Sequence, residues 1–204
     1  MITIVNYGLG NIRAFANVYK NLNIETKIAN SESDLQDATK IILPGVGAFD
    51  YAMQLLNDSG MRDSLDNLVL SKKILVLGIC VGMQILANSS EEGISRGLGW
   101  IDGEVKKMET SNLSFQTQLP HMGWNSITQG NGHPLVNNLK ENPRFYFLHS
   151  YYFSCNKNIN SIAESQYGNS FTCAVNSNNV YGVQFHPEKS HQNGIQILKN
   201  FAVM

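Results

Sequence analysis

Along the first half of the chain, short apolar runs alternate with stretches of helical periodicity. Ile2 to Asn6 is a compact apolar run and reads as a buried strand. A glycine-rich turn follows, Tyr7-Gly8-Leu9-Gly10, and then Ile12, Phe15, Tyr19 and Leu22 recur at the spacing of one helix face. Ile41-Ile42-Leu43 predicts a strand that breaks at Pro44-Gly45-Val46-Gly47. Phe49, Met53 and Leu56 predict a helix, and Met61, Leu65 and Leu68 another. Ile74-Leu75-Val76-Leu77 is a further strand ending at Gly78, and Met83 to Asn88 reads as helical. Strands alternating with helices imply crossover connections, hence an α/β fold with a mostly parallel central sheet flanked by helices.

The second half is richer in strands. Arg144 to Phe153, Ser161 to Gln166, Phe171 to Val175 and Val180 to Phe185 carry aromatic and β-branched residues. Gln192 to Phe201 predicts a closing helix. No repeat, low-complexity segment or linker interrupts the pattern, so residues 1–204 are expected to form one domain. The polar stretch Lys106 to Gln118 is the expected mobile loop.

Composition narrows the function classes. The chain has 204 residues, 43% of them hydrophobic, enough for a substantial core. A formal net charge of -1 does not suggest a nucleic-acid surface. No apolar run approaches the roughly 20 residues that span a bilayer, and the first residues lack the pattern of a signal peptide. Three cysteines, Cys80, Cys155 and Cys173, form neither a disulfide framework nor a metal-binding spacing, and a sparse odd set suits a cytoplasmic location. The sequon Asn112-Leu113-Ser114 is then accidental.

Gly78-Ile79-Cys80-Val81-Gly82 follows an apolar strand and precedes a helical pattern, the context of a nucleophile elbow with Cys in place of Ser. A tight turn there presents the thiol at the carboxyl edge of the sheet, near a helix N-terminus that favours thiolate. Taken alone, the pentapeptide equally fits a buried core cysteine. Phe185-His186-Pro187-Glu188 follows another apolar strand and supplies a base with a carboxylate two residues on. An isolated His-Pro-Glu fits a surface histidine beside a surface glutamate better than a catalytic pair. Glycines of Pro44-Gly45-Val46-Gly47 would let backbone N–H groups converge on an oxyanion, although taken alone the run reads better as an ordinary strand-to-helix turn. Tyr7-Gly8-Leu9-Gly10-Asn11 is not a dinucleotide loop, because the third glycine would fall at Arg13. His149, Ser150 and Tyr151, at the end of an aromatic strand, are positioned to line a pocket. On spacing alone His121 and His133 are structural or surface residues.

Together, Pro-Gly-Val-Gly, then Gly-x-Cys-x-Gly-x-Gln, then His-Pro-Glu, in that order and spacing, resemble the class I (triad-type, flavodoxin-like) glutamine amidotransferases. Within that class the chain is similar to the glutaminase subunits of imidazole glycerol phosphate synthase over nearly its whole length. The likeness includes Asn6-Tyr7-Gly8-Leu9-Gly10-Asn11, Gly97-Leu98-Gly99-Trp100, Pro120-His121-Met122-Gly123-Trp124-Asn125 and Gln184-Phe185-His186-Pro187-Glu188-Lys189-Ser190. The resemblance implies glutamine hydrolysis by Cys80, His186 and Glu188. It also implies glutamine binding by Gly47, Gln84, His149, Ser150 and Tyr151, and an oxyanion site at Gly45, Val46 and Val81. No metal or cofactor is implied. The partner implied is a (β/α)8-barrel synthase subunit in a heterodimer, docked over the triad with Asn11 and Lys189 in contact, and receiving ammonia for histidine biosynthesis. Three departures stand out: Gln118 and Leu119 where a basic residue often precedes Pro120, His191 where glycine is usual, and the sequence of the first helix. These resemble paralogues that supply ammonia to a sugar amidotransferase in surface-polysaccharide synthesis.

Overall fold

The computed structural model describes residues 1–113, 118–129 and 132–204. The chain begins with β1 (Ile2–Val5), buried on both faces, and α1 (Ile12–Asn21), whose Phe15 and Tyr19 face the core. α1 stops because Asn23 adopts φ 56, which returns its N–H to Lys20 O and that of Ile24 to Tyr19 O. β2 (Thr26–Ala29) and β3 (Lys40–Gly45) follow, and then α2 (Phe49–Asp58) and α3 (Arg62–Asp66). β4 (Leu75–Cys80) leads into the single turn α4 (Val81–Gln84).

β5 (Ser89–Ser90), β6 (Gly103–Lys107), β7 (His121–Gln129), β8 (Arg144–His149), β9 (Tyr151–Cys155), β10 (Ser161–Tyr167), β11 (Asn169–Ser177) and β12 (Val180–Val183) come next, and α5 (His191–Val203) closes the chain. Nine strands form one sheet in the order β2-β1-β3-β4-β12-β11-β10-β7-β8, and β5, β6 and β9 form a second. From β2 to β12 the pairs are parallel; from β12 to β8 they are antiparallel. The strand-rich second half thus extends a parallel sheet with an antiparallel wing. Parallel strands need both faces covered, which explains the continuous burial of β1, β3, β4 and β12.

Several elements differ from the expectation. The run 144–153 is two strands in different sheets, parted at Ser150. Its continuous aromatic pattern hides a break that tertiary pairing imposes. The helix expected over 83–88 is α4, which starts earlier and ends at Gln84, because Leu98 N–H then bonds to Ile85 O and Gly97 N–H to Asn88 O. Of the loop expected over 106–118, Lys106 and Lys107 belong to β6, while residues 114–117, with Ser114 of the sequon, lie outside the described residues. Among the described residues, no helix is long and apolar enough to cross a membrane.

β4 runs between β3 and β12, so three carboxyl ends lie side by side. The Pro-Gly-Val-Gly loop, Cys80 and the His-Pro-Glu turn all leave that edge, where open α/β sheets bind ligands.

Candidate active site

Cys80 ends β4 at φ 56 and ψ −115, a conformation rarely held by a residue with a side chain. Its neighbours enforce it. A Cβ on Gly82 would stand 2.0 Å from Leu43 O, and one on Gly78 would stand 2.4 Å from Gly82 O. Only glycines allow this backbone-to-backbone closure. The thiol is 3% exposed, with Sγ 3.9 Å from Leu148 O. Because α4 is a single turn, its dipole offers less to the sulfur than a full helix would.

His186 and Glu188 flank Pro187, which opens a short 3-10 turn. His186 Nδ1 lies 3.0 Å from Glu188 Oε1, and both side chains are nearly inaccessible. The turn is fastened to β8: His186 N–H donates to Tyr146 O at 2.9 Å, and Ser190 Oγ donates to His186 O at 2.6 Å while accepting from Tyr146 N–H. Burial works against an imidazolium here, but hydrogen bonds and charge from Cys80 and Glu188 outweigh it and raise the His186 pKa to about 10. The elbow thiol and the His-Pro-Glu turn are thus coupled across two strands.

The third element is the loop after β3. A Cβ on Gly45 would lie 2.5 Å from Gly82 N and 3.1 Å from Val81 C, so this loop abuts the elbow directly. Gly47 follows at φ +94. Behind the loop, Tyr7 Oη donates to Pro44 O at 2.7 Å, and a Cβ on Gly10 would meet Pro44 Cβ at 2.7 Å. The glycine-rich turn after β1 therefore serves as packing for the loop.

These elements enclose a pocket of about 310 Å³. Cys80 and His186 reach into it together with Val46, Gly47, Val81, Gln84, His149, Ser150 and Tyr151. Glu188 sits behind His186 and Gly45 behind the loop; neither lines the cavity. Gln84 Nε2 donates to Tyr151 O at 3.0 Å and to Gln184 Oε1 at 3.1 Å. With both N–H groups engaged, Gln84 offers a ligand only an acceptor.

His149 is buried and neutral: burial lowers its pKa to about 3. Its Nδ1–H donates to Tyr151 O at 2.8 Å, so Nε2 accepts from His121 Nδ1 at 3.0 Å. His121, stacked on Tyr167 and Phe147, is lowered to about 4 by burial and is structural, as its spacing suggested. His133 caps the short turn at Pro134 by accepting from Leu135 N–H.

Sequence reasoning missed three groups. Glu92 lines the pocket, with Oε2 accepting from Phe49 N–H at 2.8 Å. Leu148 and Pro120 complete the wall. Glu92 follows no motif; only the fold brings residues 91–95 beside the start of α2, where Asp50 accepts from Ile94 and Ser95 N–H.

Asn11 and Lys189 lie outside the pocket and are exposed. Asn11 precedes α1 without capping it through its side chain, and Lys189 Nζ lies 5.5 Å from the centre of the Tyr146 ring. Val46 and Leu148, in the pocket lining, and Met122 and Trp124 on β7 are exposed apolar side chains. Met122 pairs with Leu148 and Trp124 with Tyr146 across β7 and β8, so the three β7–β8 members share one ribbon. His191, where glycine was expected, stacks on Trp124 at 5.0 Å. Among the described residues, no group of three His, Cys, Asp or Glu side chains is placed to hold a metal ion.

Known proteins give the same outline. The family described as "Glutamine amidotransferase class-I" matches residues 3–204. "Imidazole glycerol phosphate synthase subunit HisH" of Leptospira interrogans is 55% identical, over 99% of both chains. "Imidazole glycerol phosphate synthase subunit HisH 2" of Pseudomonas aeruginosa is 44% identical, over 98% of both. A crystal structure of a putative GMP synthase protein from Thermoplasma acidophilum has a TM-score of 0.74 at 21% identity, covering 99% of this chain and 92% of its own. PurLQS from Thermotoga maritima has a TM-score of 0.72 at 19% identity, covering 98% and 96%. At those identities the two structures speak to fold alone.

Proposed function

The chain belongs to the class I glutamine amidotransferases, and from that premise we propose that it is the glutamine-hydrolysing subunit of an imidazole glycerol phosphate synthase. The observation that carries the reading is the convergence of Cys80, His186 and the Gly45–Gly47 loop on one pocket, with Glu188 orienting His186. The relatives' names supply the pathway.

In this reading glutamine enters with its amide carbonyl beside Cys80. His186, held by Glu188, takes the proton of the Cys80 thiol, so the dyad reacts as an imidazolium–thiolate pair. The sulfur attacks the amide carbon and forms a tetrahedral oxyanion. Val81 N–H and the Val46 N–H of the adjoining loop are the donors to that oxygen, each such donor being worth about 2.7–4 kcal/mol. His186 gives its proton to the departing ammonia, and Glu188 keeps the ring in place. Water, deprotonated by His186, then attacks the γ-glutamyl thioester and releases glutamate and thiolate. No step calls for a metal or an organic cofactor.

Substrate selection follows from charge. Glu92 is a carboxylate in the pocket wall with one oxygen occupied by Phe49 N–H, and it suits the α-ammonium of glutamine. Gln84 presents an acceptor, while Gly47, His149, Ser150 and Tyr151 shape the remaining wall.

Ammonia released into water is protonated and lost, so the product must pass directly to an acceptor. We assign the acceptor to a (β/α)8-barrel subunit that docks over the exposed side chains of Val46, Met122, Trp124 and Leu148, with Asn11 and Lys189 at the rim. The receiving intermediate is a phosphoribulosyl aminoimidazole carboxamide, converted to imidazole glycerol phosphate and an aminoimidazole carboxamide ribotide. Gating of glutamine hydrolysis by the partner would act on the Gly45–Val46 peptide, since glycine makes its reorientation cheap. The test is reconstitution with the barrel partner, supplied with glutamine carrying a heavy-nitrogen amide. Heavy nitrogen in imidazole glycerol phosphate, undiluted by unlabelled ammonium in the buffer, is expected. Label appearing only in an aminated sugar would move the chain to the polysaccharide-linked paralogues.

A further inference from the structure

Gln184 has no assigned part in the chemistry above, yet it is fully buried beside the nucleophile. It follows β12 directly, and its backbone N–H is anchored to Cys173 O at 2.8 Å. Its Nε2 lies 3.9 Å from Cys80 Sγ, and its Oε1 accepts from Gln84 Nε2 at 3.1 Å.

The direction in which this amide faces follows from its neighbours. Tyr151 O can only accept, so the Gln84 group bonded to it at 3.0 Å must be the NH₂. The second hydrogen of that NH₂ points at Gln184, which must therefore turn its carbonyl toward Gln84. The NH₂ of Gln184 is then the group left to face the sulfur. A buried amide with every neighbour dictated in this way is costly to misplace.

Two backbone or side-chain groups besides His186 thus touch Sγ, and they favour opposite protonation states. Leu148 O, 3.9 Å away, can accept from a thiol but only repels a thiolate. Gln184 Nε2–H, also 3.9 Å away, can donate to the sulfur and does so more strongly to a thiolate than to a thiol. We propose that Gln184 is a catalytic donor that favours the thiolate of Cys80 over the thiol that Leu148 O would accept from, and that Gln84 is the positioning residue that aims it. The inference deepens the glutaminase reading and rests on it for the reaction, though not for the state of the sulfur. It also ties the wall that would hold glutamine, through Tyr151 O and Gln84, to the readiness of the nucleophile.

The experiment is the pH dependence of Cys80 alkylation by iodoacetamide in the full chain, without glutamine or partner, with Cys80→Ala as the blank. Gln184→Met keeps the volume and removes the donor. The titratable groups that face the pocket (His186, His149, Tyr151 and Glu92) and Tyr7 and Glu188 behind it are unchanged by the substitution. The alkylation midpoint is expected to rise by about one pH unit, because a lost hydrogen bond to the charged form raises a pKa. Gln184→Asn, which withdraws the amide by one methylene, should raise it in the same direction and serves if the methionine variant does not fold. A folded variant with an unmoved midpoint would overturn the proposal, since a purely structural role would not shift the titration. Glutamate production by the wild-type complex, measured alongside, separates the two readings. If it occurs while the midpoint stays put, only this inference falls. If the midpoint moves without glutamine hydrolysis, the donor role stands and the substrate assignment falls.

Discussion

Tyr7 Oη donates a 2.7 Å hydrogen bond to Pro44 O, tying the turn after β1 to the loop that abuts the Cys80 elbow. The bond holds the carbonyl of the peptide before Gly45 in place. Burial raises the Tyr7 pKa far above its ordinary value, with Cys80 adding to the effect, so the hydroxyl stays a donor. Tyr7→Phe strands a buried carbonyl and should cost about 1–3 kcal/mol by urea unfolding. Glutamine hydrolysis in the complex should fall about tenfold, a change of about 1.4 kcal/mol in the barrier. Unchanged turnover would mean that the loop is held without Tyr7.

Cys80 stores strain. A non-glycine residue at such a φ costs about 1–3 kcal/mol, part of which glycine recovers against its greater chain entropy. Cys80→Gly should therefore unfold at higher urea concentration, by about 1 kcal/mol, while abolishing glutamine hydrolysis. A destabilised Cys80→Gly would show that the turn is comfortable for cysteine.

Apolar runs made β1, β3, β4 and β12 readable, with glycine-rich turns after β1 and β3 and around Cys80, whereas β2, half polar in Thr26 and Lys27, was not legible. The antiparallel wing was legible only in part. β7 runs through His121, Gly123 and Asn125, whose polarity hides the strand; these residues are in a strand because β8 and β10 flank it. Cys80, His186 and Glu188 were each ambiguous alone, and only the order of their motifs, as a family resemblance, singled them out. Glu92 and Gln184 could not be placed beside the pocket and the sulfur, since their contacts there span 43 and 104 positions of chain.

Glu92→Gln keeps an acceptor for Phe49 N–H and removes the charge. A charge-assisted hydrogen bond is worth about 1.5–3 kcal/mol, so KM for glutamine should rise about 10- to 100-fold with kcat nearly constant. Steady-state kinetics of the reconstituted complex decide it, and an unaltered KM would place the α-ammonium elsewhere.

Stability should fall on both sides of neutrality for different reasons. His149 and His121 have folded pKa values of about 3 and about 4, below the ordinary 6.5. The unfolded chain therefore takes up their protons first, and stability is lost as pH falls from 6.5 toward those values, at about 1.4 kcal/mol per pH unit for each histidine. His186 is raised to about 10, so the stability it contributes is full below pH 6.5 and lost as pH rises through 10. Urea unfolding from pH 5 to pH 10 checks both limbs. Cys80→Ala removes part of the support for His186 and should flatten the alkaline limb alone.

The exposed apolar side chains Val46, Met122, Trp124 and Leu148 should dominate docking. Trp124→Ala is expected to weaken binding of the barrel subunit by about 2 kcal/mol or more, roughly 30-fold, by titration calorimetry. Lys189→Ala, at the polar rim, should matter less and become negligible at high salt. Equal effects of the two would redraw the interface.

The most direct measurement is acid-quench mass spectrometry of the complex during turnover with glutamine. A γ-glutamyl adduct on the peptide that contains Cys80, absent in Cys80→Ala, is the predicted result. Glutamate formation that continues in Cys80→Ala, or an adduct on any other residue, would contradict the assignment of Cys80 as the nucleophile.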